Sequence, residues 1–149
     1  MVAPRPVGDP LHVTAAARPA PDGRLTLAVV LRDPDRGARR VLVHTVHPNR
    51  TPAAHRAVLA ALWAARRAGA RRVVVEVDNG EVVAQVTGQV EAPPTAVVAV
   101  LQSRALLNAF DTATLRCIPD EENDAVFAAA AVRGAREPIY RDLPLWATF

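Results

Sequence analysis

The chemistry this chain could perform rests on a few side chains. Glu76 and Asp78 are two residues apart at the end of a short apolar run. A strand there would aim both carboxylates at the same face, where paired oxygens suit a hard divalent cation. The plainer expectation for Glu76 is an ion pair or hydrogen bond to an Arg or His, since a lone buried acid is costly. His44 and His47 are three apart on a strand, so they face opposite ways and make no metal pair. His55 reads as a helix-surface or hydrogen-bonded residue. Asn49-Arg50-Thr51 matches a glycosylation sequon, which has no meaning inside a cell. Cys117 is the single cysteine, so no internal disulfide framework exists, and its apolar setting predicts a small buried core residue. Arginines cluster at Arg39 and Arg40, at Arg66 and Arg67, and at Arg71 and Arg72, with Arg50 between. Such groups suit phosphate contacts, but arginine near a helix C-terminus also complements the helix dipole.

The elements that must position these residues follow from periodicity. Leu11 to Ala17 can form a first strand, stopped by Arg18-Pro19-Ala20-Pro21-Asp22-Gly23. From Arg24 to Arg32, Leu25, Leu27, Val29 and Leu31 share one face, while Thr26, Ala28 and Val30 make the other one coverable too. After the turn at Asp33-Pro34-Asp35-Arg36-Gly37, a third strand runs from Arg40 to His47 and completes an antiparallel meander. Thr51 before Pro52 predicts an N-cap, with Val58, Leu59, Leu62 and Trp63 at helical spacing and Gly69 as the stop. Val73 to Val77 reads as a central strand. Helices over Glu81 to Val90 and Thr95 to Phe110 follow, then a strand from Thr114 to Ile118. Asp120 is placed to cap a last helix from Glu121 to about Arg133, closed by Gly134. The expected fold class is α/β, a mixed sheet of five strands in chain order βββαβααβα with helices on both faces.

Length and composition agree with one domain. The chain has 149 residues, half of them hydrophobic, which is enough to bury a core. Aromatics are only 4%, so that core must be Val, Leu and Ala. The net charge is +3, and all 18 basic residues are arginine, a bias that needs no chemical explanation. The division expected is a Pro-rich segment 1–10, a domain over 11–134, and a tail over 135–149. That tail holds Tyr140, Trp146 and Phe149, half of the aromatics, and is expected to pack against the domain or a partner. The first ten residues do not resemble a signal peptide, and no segment approaches a membrane span, so a soluble cytoplasmic protein is expected.

Several stretches resemble the ribonuclease H type 1 family. Ala53-Ala54-His55-Arg56-Ala57-Val58-Leu59-Ala60-Ala61-Leu62 is similar to its A-E-Y-x-A-L-x-x-x-L helix. Val77-Asp78-Asn79 stands where the family has a strand-ending Asp-Ser. Val82-Val83-Ala84-Gln85-Val86-Thr87-Gly88 resembles V-V-N-Q-V-N-G, and Ile118-Pro119-Asp120-Glu121-Glu122-Asn123 resembles V-P-R-E-E-N. The resemblance covers about residues 11 to 133.

It implies cleavage of RNA in RNA–DNA hybrids by four carboxylates holding two Mg²⁺ ions. Here the first-strand Asp falls on Ala15, the first-helix Glu on Ala54 and the last-helix Asp on Phe127, leaving Asp78 alone. Two divalent cations about 4 Å apart repel by roughly 4 kcal/mol even in water, which one carboxylate cannot offset. The ring of Phe127 would tend to fill the emptied space. The expectation is therefore a degenerate catalytic centre with no metal and no cofactor. A rearranged single-metal site of Glu76, Asp78 and Asp124 is the remaining route to hydrolysis. With catalysis gone, two functions are weighed. One is non-cleaving binding of nucleic acid by Arg39, Arg40, Arg50, Asn79, Arg71 and Arg72. The other is a protein-interaction or self-associating role, with the 135–149 tail on an apolar surface around Ala15, Ala54 and Phe127.

Overall fold

A computed structural model describes residues 9–35 and 37–132. Three strands come first, β1 (Leu11–Pro19), β2 (Leu25–Asp33) and β3 (Ala38–Val46), followed by helix α1 (Ala53–Arg67). Then come β4 (Arg72–Val77), α2 (Gly80–Val86), α3 (Val97–Asn108), β5 (Thr112–Cys117) and α4 (Asp124–Val132). Short 3₁₀ turns at Pro94–Ala96 and Asp120–Glu122 precede α3 and α4. The five strands form one sheet in the order β3-β2-β1-β4-β5. The β1–β2 and β2–β3 pairs are antiparallel, while β1–β4 and β4–β5 are parallel. The mixed sheet and the chain order βββαβααβα are as the sequence predicts.

The sheet is covered on both sides. Helix α1 packs on one face over Val13, Ala15, Val29, Leu42 and Val75, and α4 packs on the other over Ala16, Ala28, Val30 and Val43. Double coverage explains why seven consecutive residues of β2, Leu25 to Leu31, are all buried. Ten of the fifteen residues of α1 are buried, and the alanines among them let the helix approach the sheet closely. No described helix is long and apolar enough to cross a membrane.

Four local readings are corrected. Thr51 is not the N-cap of α1, since Pro52 occupies that position without a side-chain bond. The Asn49 Oδ1 takes the Thr51 N–H at 2.9 Å instead, a side-chain turn that carries the chain into the helix one residue later. Helix α2 ends at Val86 rather than Val90. Gly88 adopts φ +83°, and Gln89 N–H returns to the Ala84 carbonyl at 2.8 Å, which closes the helix. Asp120 does not cap α4. Asn123 does, its Oδ1 accepting from Ala125 N–H at 2.9 Å. Cys117 is exposed, not core, because β5 is the sheet's edge and only Leu115 of that strand is buried. The expectations for the Pro-rich start (apart from residues 9 and 10), for the end of α4 near Arg133 and for the 135–149 tail lie outside the described residues.

One buried polar group gives the fold a pH signature. His44 stands opposite Leu27, and its Nδ1 is buried with no hydrogen-bond partner among the described residues. Burial lowers its pKa below the ordinary 6.5. Between those two values the unfolded chain binds a proton that the folded chain refuses. Stability is thus full above pH 6.5 and falls as the pH drops below it. Thermal melts at pH 7.5 and pH 5 should show the loss, and His44→Leu should flatten it. An unchanged slope in that variant would remove His44 as the cause.

Candidate functional site

Parallel pairing of β1 with β4 brings both C-terminal ends to one edge of the sheet, in register at Ala15 and Val77. The N-terminus of α1 arrives at the same edge because β3 also ends there. Together they enclose a pocket of about 280 Å³ lined by Ala17, Arg18, Ala53, Ala54, Asp78 and Asn79 among others. Alanines thus form much of its wall. Asn79, also in that lining, opens α2, its Oδ1 accepting from Val82 N–H at 3.1 Å, which leaves the amide NH₂ as the side chain's donor group.

Asp78 is the single carboxylate in that lining, and its side chain is only 13% exposed. The guanidinium of Arg18 lies directly on it. The same Nη2 stands 3.7 Å from Asp120 Oδ2, and Nη1 donates to the Ala17 carbonyl at 3.0 Å. Hydrogen bonding to Asp78, with the repulsion of its charge, raises the Asp120 carboxyl above its ordinary value. One arginine therefore joins the end of β1, the end of β4 and the turn before α4. His55 takes the second of its two expected states: it is buried and hydrogen-bonded, its Nε2 meeting Gln85 Oε1 at 2.7 Å and tying α1 to α2.

The predicted site residues divide. Ala54 and Asp78 meet in the pocket. Ala15 is fully buried in the α1-side core, and its carbonyl accepts from Asn123 Nδ2 at 3.1 Å. Phe127 is 59% exposed on α4 and is not among the residues that line the pocket. Ala15, Ala54 and Phe127 therefore do not form one apolar surface.

Glu76 and Asp78 do not share a cavity. Strand β4 stops at Val77, and the turn into α2 carries Asp78 off the alternation that would have aligned it with Glu76. Glu76 lies on the α4 side, 3.5 Å from His12 Nδ1, and accepts from Arg116 Nε at 3.0 Å. This is the ion-paired state expected of it. There it lines a cleft of about 480 Å³ with Thr14, Arg32 and Asp124, and Asp124 is itself paired with Arg32. Among the described residues no three His, Cys, Asp or Glu side chains are placed to hold a metal ion. The residues present fit neither the two Mg²⁺ ions of the family nor the rearranged single-metal site.

The nucleic-acid candidates divide as well. Asn79 is at the pocket, and Arg50 is on the loop leading into α1 at the same end. Arg39 and Arg40 open β3, and Arg72 opens β4, so topology places them at the opposite end of the sheet, about 20 Å away. Arg71 is paired there with Asp111 at 3.3 Å, and Arg72 Nε donates to Thr112 Oγ1 at 3.3 Å. Sequence reasoning gave Arg18 only a place in the stretch that stops β1 and Asp120 only a capping role, because neither falls on a position that the family uses for chemistry.

Comparison with known proteins agrees with this architecture. The family described as reverse transcriptase-like matches residues 16–132. No curated protein matches. Among solved structures, the RNase H1 of the halophilic archaeon Halobacterium salinarum superposes with a TM-score of 0.68 at 24% identity, covering 83% of this chain and 96% of that one. The N-terminal RNase H domain of a Mycobacterium tuberculosis protein, solved as a fusion with maltose binding protein, gives 0.58 at 23%, covering 81% and 97%. LC11-RNase H1, isolated from compost and solved in complex with RNA/DNA hybrid, gives 0.56 at 19%, covering 80% and 97%. At these identities the superpositions speak for a common fold. With four fifths of its length matched, the chain belongs to the reverse transcriptase-like family and has a ribonuclease H-like fold.

Proposed function

We propose that this domain binds nucleic acid, an RNA–DNA hybrid or a duplex, without cleaving it. The observation that carries this reading is the pocket at the β1/β4 edge, whose one carboxylate is already covered by Arg18. Such an edge has no means to gather two metal ions. It keeps what backbone recognition requires, namely hydrogen-bond donors and cations, in the Asn79 amide and Arg50. A solved relative with the same fold carries an RNA/DNA hybrid, which supports the ligand class. Any grip on the phosphates is electrostatic, so it must weaken steeply with salt.

The test is a titration of the protein against a labelled RNA–DNA hybrid, with Mg²⁺ and with chelator, following binding and strand length together. Binding that falls with salt while the RNA strand stays intact is the expected result. Cleavage abolished by chelator would overturn the non-cleaving part, and absence of binding at low salt would overturn the rest.

A second reading, association with a protein or with another copy of the chain, has its own observation. Helix α3 presents Val97, Val98 (66% exposed) and Leu101 (58%) to solvent. Its only charged residue, Arg104, is turned onto the backbone carbonyls of Gln85 and Val86. An outer helix face without charge is unusual for a lone domain. Sedimentation showing a concentration-dependent oligomer, together with no hybrid binding, would favour this reading.

A further inference from the structure

We propose that Arg18 is the resident cation of the β1/β4 edge, its guanidinium taking the place of a metal ion on Asp78 and closing the site to divalent ions. Asp78 is largely buried, and a buried carboxylate must be matched by a cation or by several donors. The two alanines at the lost positions supply no oxygen, so Asp78 and Asp120 are the carboxylates left there for a cation to match. Arg18 is placed to do it from the end of β1, where it still pairs with Thr26 but lies beyond the final β1–β4 pair. Its side chain thereby reaches across the strand ends to Asp78 and on to Asp120. The anchoring Nη1 bond to the Ala17 carbonyl fixes the planar group in that direction.

The choice of cation has consequences. A guanidinium stays charged at every physiological pH, cannot dissociate into solvent, and donates through a rigid fork that suits carboxylates. A divalent ion approaching Asp78 would meet a fixed positive charge and no vacant ligand. The site is therefore indifferent to Mg²⁺ whether or not nucleic acid is its ligand. If the proposed hybrid binding holds, it is independent of metal.

Removing the charge should reverse this, because Asp78 and Asp120 would then face each other with nothing between them. The experiment is thermal unfolding of the full chain, in chelator and in millimolar Mg²⁺ or Mn²⁺, for wild type, Arg18→Met and Arg18→Lys. Arg18→Met keeps most of the aliphatic stem, so that packing is largely preserved. Wild type and Arg18→Lys should shift by less than about 1 °C on adding the ion. Arg18→Met should melt about 3 °C lower in chelator and recover at least half of that with the ion. Adding Asp120→Asn to Arg18→Met should abolish the recovery.

A wild-type melting point that rises with Mg²⁺ overturns the inference. So does an Arg18→Met protein as stable as wild type. Loss of stability without recovery would make Arg18 an ordinary ion pair, and would also overturn it. None of these outcomes depends on hybrid binding, so a failure of the nucleic-acid reading is told apart from a failure here.

Discussion

Asn123→Ala is expected to destabilise the domain by about 3 kcal/mol and to lower its melting temperature by roughly 6 to 12 °C. The reason is the double role of one buried amide. Its Nδ2 donates to the Ala15 carbonyl of the central strand, and its Oδ1 accepts from the Ala125 N–H at the start of α4. The side chain is completely buried, so water cannot take over either bond when the amide is removed. Two backbone groups are orphaned in the interior, at about 1 to 3 kcal/mol each, and part of that sum is relieved by local relaxation. Helix α4 also loses its cap, whose worth is about 1 kcal/mol and overlaps with the same bonds. Asn123→Asp separates the two roles, since it keeps the acceptor for Ala125 but loses the donor to Ala15. Chemical unfolding monitored by circular dichroism measures all three proteins. A loss under about 1 kcal/mol in the alanine variant would mean that α4 is held by its apolar face alone.

The second large effect concerns binding. Ala54→Glu is expected to weaken hybrid affinity about tenfold at low salt, and much less at high salt. Position 54 is half-buried in the wall of the pocket beside Asp78 and Asn79, so a glutamate there puts new negative charge where a phosphate would sit. The fold should tolerate the change. Residue 54 is in the first turn of α1, which has no acid, and a carboxylate there complements the helix dipole. Ala54→Gln has nearly the same size without the charge, and should change affinity by less than about twofold. Fluorescence anisotropy with the same hybrid at two salt concentrations compares the three. Equal losses for Glu and Gln would indicate shape rather than charge. No loss for either would place the interface elsewhere on the domain.

The architecture was legible because it is written in local periodicity. Alternation in β1 to β3, the apolar run of β4 and the 3.6-residue spacing of α1 each carry their own signal. The motif-like stretches around Asp78 and Asn123 then place those elements in order. Decisions between similar residues were less legible. Asp120 and Asn123 are both good helix caps, and only the position of the Ala15 carbonyl chooses between them. Cys117 has apolar neighbours in sequence, yet it lies on the edge strand, which no local pattern reveals. The key cation was invisible for a simpler reason. Arg18 meets Asp78 across 60 residues of chain and Asp120 across a still longer span, and one arginine among 18 carries no mark of such a partner. Glu76 and Asp78 show the converse error, since two-residue spacing aligns side chains only while the strand continues.

The position of β1 has a consequence for how the chain acquires its structure. It is the first element in sequence yet the middle strand of five, with β2 on one side and β4 on the other. The β1–β2–β3 half closes through short turns, so its pairing forms early and at low entropic cost. The other half must wait until β4 arrives, with Leu11 meeting Val73 only after all of α1 has been made. Until then one edge of β1 exposes unpaired backbone groups, an open template for pairing with another chain. By loop-closure entropy, pairing of β1 with β4 is the step expected to be slowest in folding, and mutations that loosen α1 on the sheet should slow it further.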